Sequence, residues 1–283
     1  MARRAACNGR GAGPVARRGR RRRHRMTGRP LRSLGRLVGL LALCGLSLQL
    51  YFLLRIVLML VLAPQSTTFQ RSEIWRLATE QHQVLWSQDS VPAEQISDHL
   101  RRAVIASEDA GFVDHNGVEW DAIEKAWERN QKAEARAEKI NAQREQRTQN
   151  TSKAAPAKVT PKVVGGSTIS QQLAKNLFLS GERTALRKAQ EFVITFMLEA
   201  VLDKRTLLTI YLNNVEWGEG VFGAQAASRH YFRVDAGRLA PQQAARLAVM
   251  LPAPKAFEKR PGSAYVIGRA ATIAARMGAV ELP

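Results

Sequence analysis

The sequence predicts a mainly α-helical protein, one transmembrane helix followed by a helical extramembrane domain. Three observations carry that prediction. An apolar run fills residues 37–63, amphipathic stretches with helical spacing recur from residue 99 onward, and no segment alternates convincingly with the period of two that a strand needs. The chain has 283 residues, 45% hydrophobic and 24% charged, which suits one packed domain with appendages rather than two full catalytic domains.

The N-terminal elements come first. Residues 1–36 hold 13 arginines and no acid, and residues 129–162 hold nine Lys/Arg against three Glu. These two segments account for the whole formal charge of +19, so the basicity lies in a tail and an insert rather than on a domain face. That argues against a nucleic-acid partner. The arginine-rich tail could serve as a nucleic-acid arm, but beside an apolar span it reads better as a topology signal touching anionic lipid. Met26 is an alternative start to Met1 and would remove much of the tail, leaving Arg29, Arg32 and Arg36 to orient the span.

From Leu37 to Leu54 the chain runs 18 residues without a charge. Beyond Arg55 it stays apolar from Ile56 to Ala63, and Pro64 ends it. A span takes about 20 apolar residues, and the Arg55 stem can snorkel toward an interface. The positive-inside rule puts residues 1–36 in the cytoplasm and the chain after residue 64 outside, which predicts a single-pass anchor at 37–63. A cleaved signal peptide is the competing interpretation, but the run exceeds an ordinary signal core and no small-x-small site follows cleanly. Cys7 and Cys44 lie in the tail and the apolar run, which does not suggest a bridge.

Residues 64–98 read as a connector and helical approach, and 99–283 as the main domain. Within it, 129–162 is rich in Ala, Lys, Arg, Glu and Gln, with Pro156 and Pro161 near its end and almost no large apolar side chain. It reads as a flexible basic insert, partly helical at its start.

Four constellations carry chemistry. Leu100, Val104 and Glu108 fall on one helical stripe that Gly111 and Gly117 then interrupt. A carboxylate at the end of a buried stripe is desolvated and suited to proton transfer. Periodicity alone is better satisfied by a surface glutamate on a frayed end. Next, Gly165-Gly166-Ser167-Thr168 leads into Gln171, Gln172, Lys175 and Asn176, a capping-box signature whose helix start offers backbone N–H groups to an anion, or is simply a capped helix. Third, Arg187, Lys188 and Glu191 put two cations beside one acid, either a pyrophosphate site or a surface ion-pair cluster. Fourth, Tyr211 to Gly223 is a glycine-rich corner after a helix, where Asn213 and Asn214 could line a sugar subsite, or Trp217 and Phe222 could simply be core.

The order of these motifs is more specific than any one of them. Glu108-Asp109-Ala110-Gly111-Phe112-Val113-Asp114-His115-Asn116-Gly117, then GGSTISQQLAKN, RKAQE and YLNNVEWGEGVFG resemble the successive motifs of the peptidoglycan glycosyltransferases, across about residues 70–280. No Ser-x-x-Lys or Lys-Thr-Gly is present, which points to the monofunctional biosynthetic transglycosylases rather than the bifunctional penicillin-binding proteins. Ser170, Glu119 and Gln225 depart mildly from the family's usual residues.

The resemblance implies a lysozyme-like helical domain at 99–283 with a small membrane-facing subdomain. It implies polymerisation of lipid II into β-1,4-linked glycan strands, with release of undecaprenyl pyrophosphate. By that match, Glu108 is the general base for the acceptor 4-hydroxyl, and Glu191 is the second catalytic acid, beside the pyrophosphate. Lys175, Arg183, Arg187 and Lys188 offset the leaving group's charge. Phe112, His115, Ser167, Thr168, Gln171, Gln172, Asn176, Asn213 and Asn214 bind substrate. No organic cofactor is implied, and Mg²⁺ between Glu191 and the pyrophosphate is compatible. The implied partners are lipid II, the undecaprenyl-pyrophosphate-linked glycan, membrane lipid and other cell-wall synthesis proteins. The implied location is the inner membrane, with the catalytic domain periplasmic. The rival function is a lytic transglycosylase or lysozyme-like enzyme that cleaves finished strands and has no need of the cation cluster.

Overall fold

The computed structural model describes residues 29–149, 157–161, 165–182 and 184–283. The arginine tail through Arg25, two stretches of the 129–162 insert and Arg183 lie outside the described residues. The chain divides into two compact units, residues 1–48 and Gln49–Pro283. Within the first, the described part is the N-terminal portion of helix α1 (Arg29–Leu58). The stretch Ser33–Leu58 of α1 contains an 18-residue window of mean hydropathy 2.2 and is long and apolar enough to cross a membrane. The apolar run expected at 37–63 thus begins inside a helix that starts at residue 29. Past Leu58 the backbone tightens, with Met59, Leu60 and Val61 each donating to the carbonyl three residues back.

The second unit is mainly helical, as expected. In chain order it holds α2 (Thr68–Arg76), β1 (Ser87–Gln88), α3 (Asp98–Glu108), α4 (Trp120–Gln149), α5 (Ile169–Phe178), α6 (Ala185–Val201), α7 (Lys204–Asn214), β2 (Glu216–Gly218), β3 (Val221–Phe222), α8 (Ala224–Phe232), α9 (Pro241–Met250), α10 (Pro254–Phe257) and α11 (Ala264–Arg276). The strands form one small sheet in the order β1-β3-β2, parallel between β1 and β3 and antiparallel between β2 and β3. Strands of two or three residues are too short to show alternation, which is why the sequence carries no strand signal. Gly220 joins β2 to β3 at φ +72°, and a Cβ there would meet the Leu85 carbonyl oxygen at 2.0 Å, so only glycine fits.

The core explains the helical stripes. Leu100 and Val104 of α3, Ile169 and Leu173 of α5, Ile194 and Leu198 of α6, and Leu207 of α7 are all buried in one cluster. Phe52 and Ile56 of α1 and Met59 just past its end join it, and the Phe52 ring meets Phe178 edge-on at 5.4 Å. Trp217 and Phe222 are fully buried, the core role that the corner motif allowed.

The 129–162 insert differs from expectation. Helix α4 runs unbroken to Gln149, and the chain returns along it, with the Asn141 amide bonded to both the N–H (2.8 Å) and the carbonyl (2.9 Å) of Val159. The composition that suggested flexibility is also that of the best helix formers, and buried Ala126 and Ala137 give α4 a face to pack.

A charged cluster joins α2, β2 and α10. The Lys255 ammonium lies 2.5 Å from Glu73 and 3.4 Å from Glu216. Burial pushes the Glu216 carboxyl up to about 7 from 4.5; Lys255 opposes the shift and Glu73 adds to it. The folded protein therefore holds a proton that the unfolded chain has released, and stability falls as pH rises through that window. The melting temperature of the wild type should drop more between pH 5 and pH 8 than that of Glu216→Gln. Parallel curves for the two proteins would contradict this assignment.

Candidate active site

Glu108 is the last residue of α3, where the backbone leaves helical geometry at Asp109 (φ −163°, ψ 74°). Asp109 is 4% exposed and ties two motifs together. Its Oδ2 accepts the Ile169 N–H at 2.9 Å, at the very start of α5. Its Oδ1 lies 2.8 Å from His115 Nε2, while His115 Nδ1 accepts the Gly117 N–H at 3.1 Å. The histidine proton is thereby assigned to Nε2 and donated to Asp109. Thr168 caps α5 through a reciprocal box with Gln171 and donates its hydroxyl to the Gly117 carbonyl at 2.6 Å. Lys204 completes the lock, donating to the His115 carbonyl at 2.6 Å.

Of the two alternatives the sequence left for this helix start, an anion site or a capped helix, the structure shows the capped helix. The Ile169 and Gln171 N–H groups are already taken by Asp109 and Thr168. A side-chain carboxylate fills the position a phosphate would otherwise occupy.

Two adjoining cavities border the segment between α4 and α5. One, of about 100 Å³, is lined by Glu108, Asp109, Glu119, Ala122, Arg129 and residues 165–168. The other, of about 210 Å³, is lined by Ile123, Ala126, Trp127, Asn130, Gln171, Lys188 and Phe192. Gly166 and Ser167 line both, so the acid and a cation open onto one continuous stretch of backbone. At Gly166 a Cβ would sit 3.0 Å from the Ala122 carbonyl oxygen and 3.2 Å from Ala126 Cβ; glycine is what lets this segment lie against α4.

Glu108 Oε2 accepts the Gln172 amide at 3.1 Å, and the Ser107 hydroxyl lies 3.3 Å from Oε1. Burial raises the Glu108 pKa above the ordinary carboxylate value; the bonds from Gln172 and Ser107 hold the shift back, and the Asp109 charge adds to it. Such a carboxyl is a stronger base than an exposed one.

Glu191 is 3% exposed. Its Oε2 accepts from Arg187 at 2.8 Å, and its Oε1 from the Lys188 ammonium. Lys188 also stands 5.1 Å over the Phe192 ring, and Trp120 stacks on the same ring at 6.2 Å. One acid thus orients two cations and leaves a net positive charge. Both Glu191 oxygens face cations, and a divalent ion there would face the same positive charges. The residues do not fit the Mg²⁺ site that the sequence allowed. Asp109, His115 and Glu119 bring ligand atoms within 4.8 Å of one another, but Asp109 and His115 are already bonded to each other. Gln171 Nε2 and Arg187 Nε are buried and have no acceptor among the described residues. Buried donors left unmatched are costly, and a ligand is one way to satisfy them.

The remaining expected site residues divide clearly. Asn176 is buried, and Lys175 is exposed on α5 and lines neither cavity. Phe112 is fully buried beneath the Lys204 ammonium, 4.6 Å from the ring, and is core rather than a substrate contact. Asn213 and Asn214 are corrected as well. The Asn213 amide donates to the Val91 carbonyl (2.8 Å) and accepts the Val91 N–H (3.1 Å), and Asn214 donates to the Ile210 carbonyl (2.8 Å). Both amides hold backbone. Arg183 lies outside the described residues. Sequence reasoning missed Asp109, Arg129 and Tyr211. Asp109 stood in the quoted motif, but nothing in helical spacing marks a residue just past a helix end.

The transglycosylase family model matches residues 77–144 and 145–278. The chain is 45% identical over 255 residues, 90% of its own length and 95% of the relative's, to a biosynthetic peptidoglycan transglycosylase of Paraburkholderia xenovorans strain LB400. It is 48% identical to proteins of the same description from Burkholderia ambifaria strain MC40-6, over 84% of this chain and 86% of the relative, and from Burkholderia pseudomallei strain K96243, over 87% and 86%.

Proposed function

This chain belongs to the transglycosylase family, and from that premise we propose that it is a peptidoglycan glycosyltransferase of cell-wall synthesis that polymerises lipid II into β-1,4-linked glycan strands. The observation that supports this reading best is the pair of adjoining cavities sharing Gly166 and Ser167, with Glu108 on one side and Lys188 on the other.

In this mechanism Glu108 removes the proton from the 4-hydroxyl of the acceptor disaccharide. The oxygen attacks the anomeric carbon of the lipid-linked strand from the face opposite the leaving group. The bond to undecaprenyl pyrophosphate breaks with its electron pair, and the configuration inverts. Arg187 and Lys188 take up the charge that collects on the departing diphosphate. Glu191 is a positioning residue, since its carboxylate is spent on those two cations. Ser167, Gln171 and Gln172 orient the sugars between the two ends.

In this reading α1 anchors the protein in the inner membrane, with the basic tail cytoplasmic and the catalytic unit periplasmic. An anchor in the same bilayer keeps the protein with its lipid-linked substrate. The full-length protein, incubated separately with lipid II and with isolated cell wall, should produce long glycan strands from the first and release no fragments from the second. Soluble fragments from cell wall without polymer from lipid II would make it a lytic enzyme instead.

A further inference from the structure

Glu108 does not meet its Gln172 partner by chance of rotamer. A carboxamide has two faces that differ by a half-turn: one would offer Glu108 two N–H donors, the other an oxygen that repels a carboxylate. Nothing in Gln172 itself chooses between them. Two contacts make the choice: the Ser167 carbonyl lies 3.5 Å from Gln172 Nε2, and a shorter bond comes from α7. The Tyr211 hydroxyl donates to Gln172 Oε1 at 2.9 Å, and Gln172 Nε2 then donates to Glu108 Oε2 at 3.1 Å. Tyr211 is 1% exposed, and burial pushes its hydroxyl well above the ordinary value of 10, so it keeps its proton at any working pH.

We propose that Tyr211 is a positioning residue for the general base: its buried hydroxyl fixes the Gln172 amide with N–H toward Glu108, which keeps Glu108 ionised in its desolvated setting. This inference rests on Glu108 being the base. The charged groups around that carboxyl are known from each neighbouring element. Asp109 follows it on its own segment and raises its pKa, Glu119 and Arg129 line the same cavity, and α5 and α7 contribute the neutral Gln172 and Tyr211. Among these, Gln172 is the largest influence opposing the desolvation of Glu108.

Tyr211→Phe removes one oxygen and keeps the ring. With the amide oriented only by the longer contact to the Ser167 carbonyl, Glu108 loses a steady donor to its charged form, and its pKa rises. The acid limb of kcat/KM should move up by about one pH unit, with KM for lipid II unchanged and the curves converging at high pH. Gln172→Leu should move the limb at least as far, and adding Tyr211→Phe to it should move it no further. A tyrosine that served packing alone would lower the melting temperature and scale the whole profile without shifting it. A Tyr211→Phe limb that overlays the wild type overturns the inference, as does a shift that adds to that of Gln172→Leu. Glu108→Gln measured alongside separates the premises: if it turns over normally, the base assignment fails; if it is inactive while the Tyr211→Phe limb stays put, only the role of Tyr211 fails.

Discussion

Glu108→Gln is expected to lower kcat by roughly two to four orders of magnitude, the usual worth of a positioned general base. The substitution keeps the shape, its single amide oxygen can still accept from Gln172, and the Ser107 hydroxyl can turn to accept from the new N–H, so packing and substrate affinity should change little. What it loses is the capacity to take a proton. The pH dependence follows from the same carboxyl. Because burial raises its pKa, the wild type should lose activity on acidification at a pH above the ordinary carboxylate value of 4.5. The sign is fixed, since only the ionised form accepts the acceptor's proton. Residual turnover in the variant should lack that limb.

Glu191→Gln should lower kcat about 100-fold, which is what a displacement of about 1 Å costs a charged group aimed at a transition state. The carboxylate holds the Arg187 guanidinium and the Lys188 ammonium at once, one on each oxygen. An amide can accept from only one of them, and the two cations then repel each other with no anion between them. Stability should suffer less than rate. Arg187 and Lys188 have side chains 17% and 37% exposed, so both can recover solvent, and the cost should fall at about 1–3 kcal/mol, below that of breaking a fully buried pair. Thermal unfolding and pre-steady-state turnover on lipid II separate the two effects. A variant that melts earlier but turns over at the wild-type rate would reduce Glu191 to a structural ion pair.

The parts of this molecule that were legible in its sequence are those set by local spacing. Leu100, Val104 and Glu108 share a stripe, and α3 ends at Glu108. Thr168 and Gln171 spell a capping box, and both of its bonds are present. The Arg187-to-Glu191 spacing of one helical turn is a real contact. What could not be read depends on partners far along the chain. Asp109 fills the start of α5 from 60 residues away, so an apparent anion site is already satisfied. Asn213 is claimed by Val91, 122 residues earlier, which turns a candidate sugar ligand into a strut. Tyr211 opens the YLNNVEWGEGVFG motif, but nothing in that local run points to Gln172, 39 residues earlier. Composition misled in one further place. The Ala-, Lys- and Glu-rich stretch after Arg129 satisfies a solvated helix as well as a flexible loop, and packing along α4 decides for the helix.

The most direct measurement is single-turnover polymerisation of lipid II by the wild type and by Glu108→Gln at matched melting temperature, followed across pH. The account predicts a rate loss of at least about 100-fold in the variant and the disappearance of the acid limb. Turnover within a few-fold of wild type, with the limb intact, would show that another group takes the proton and that the carboxyl at the end of α3 is not the base.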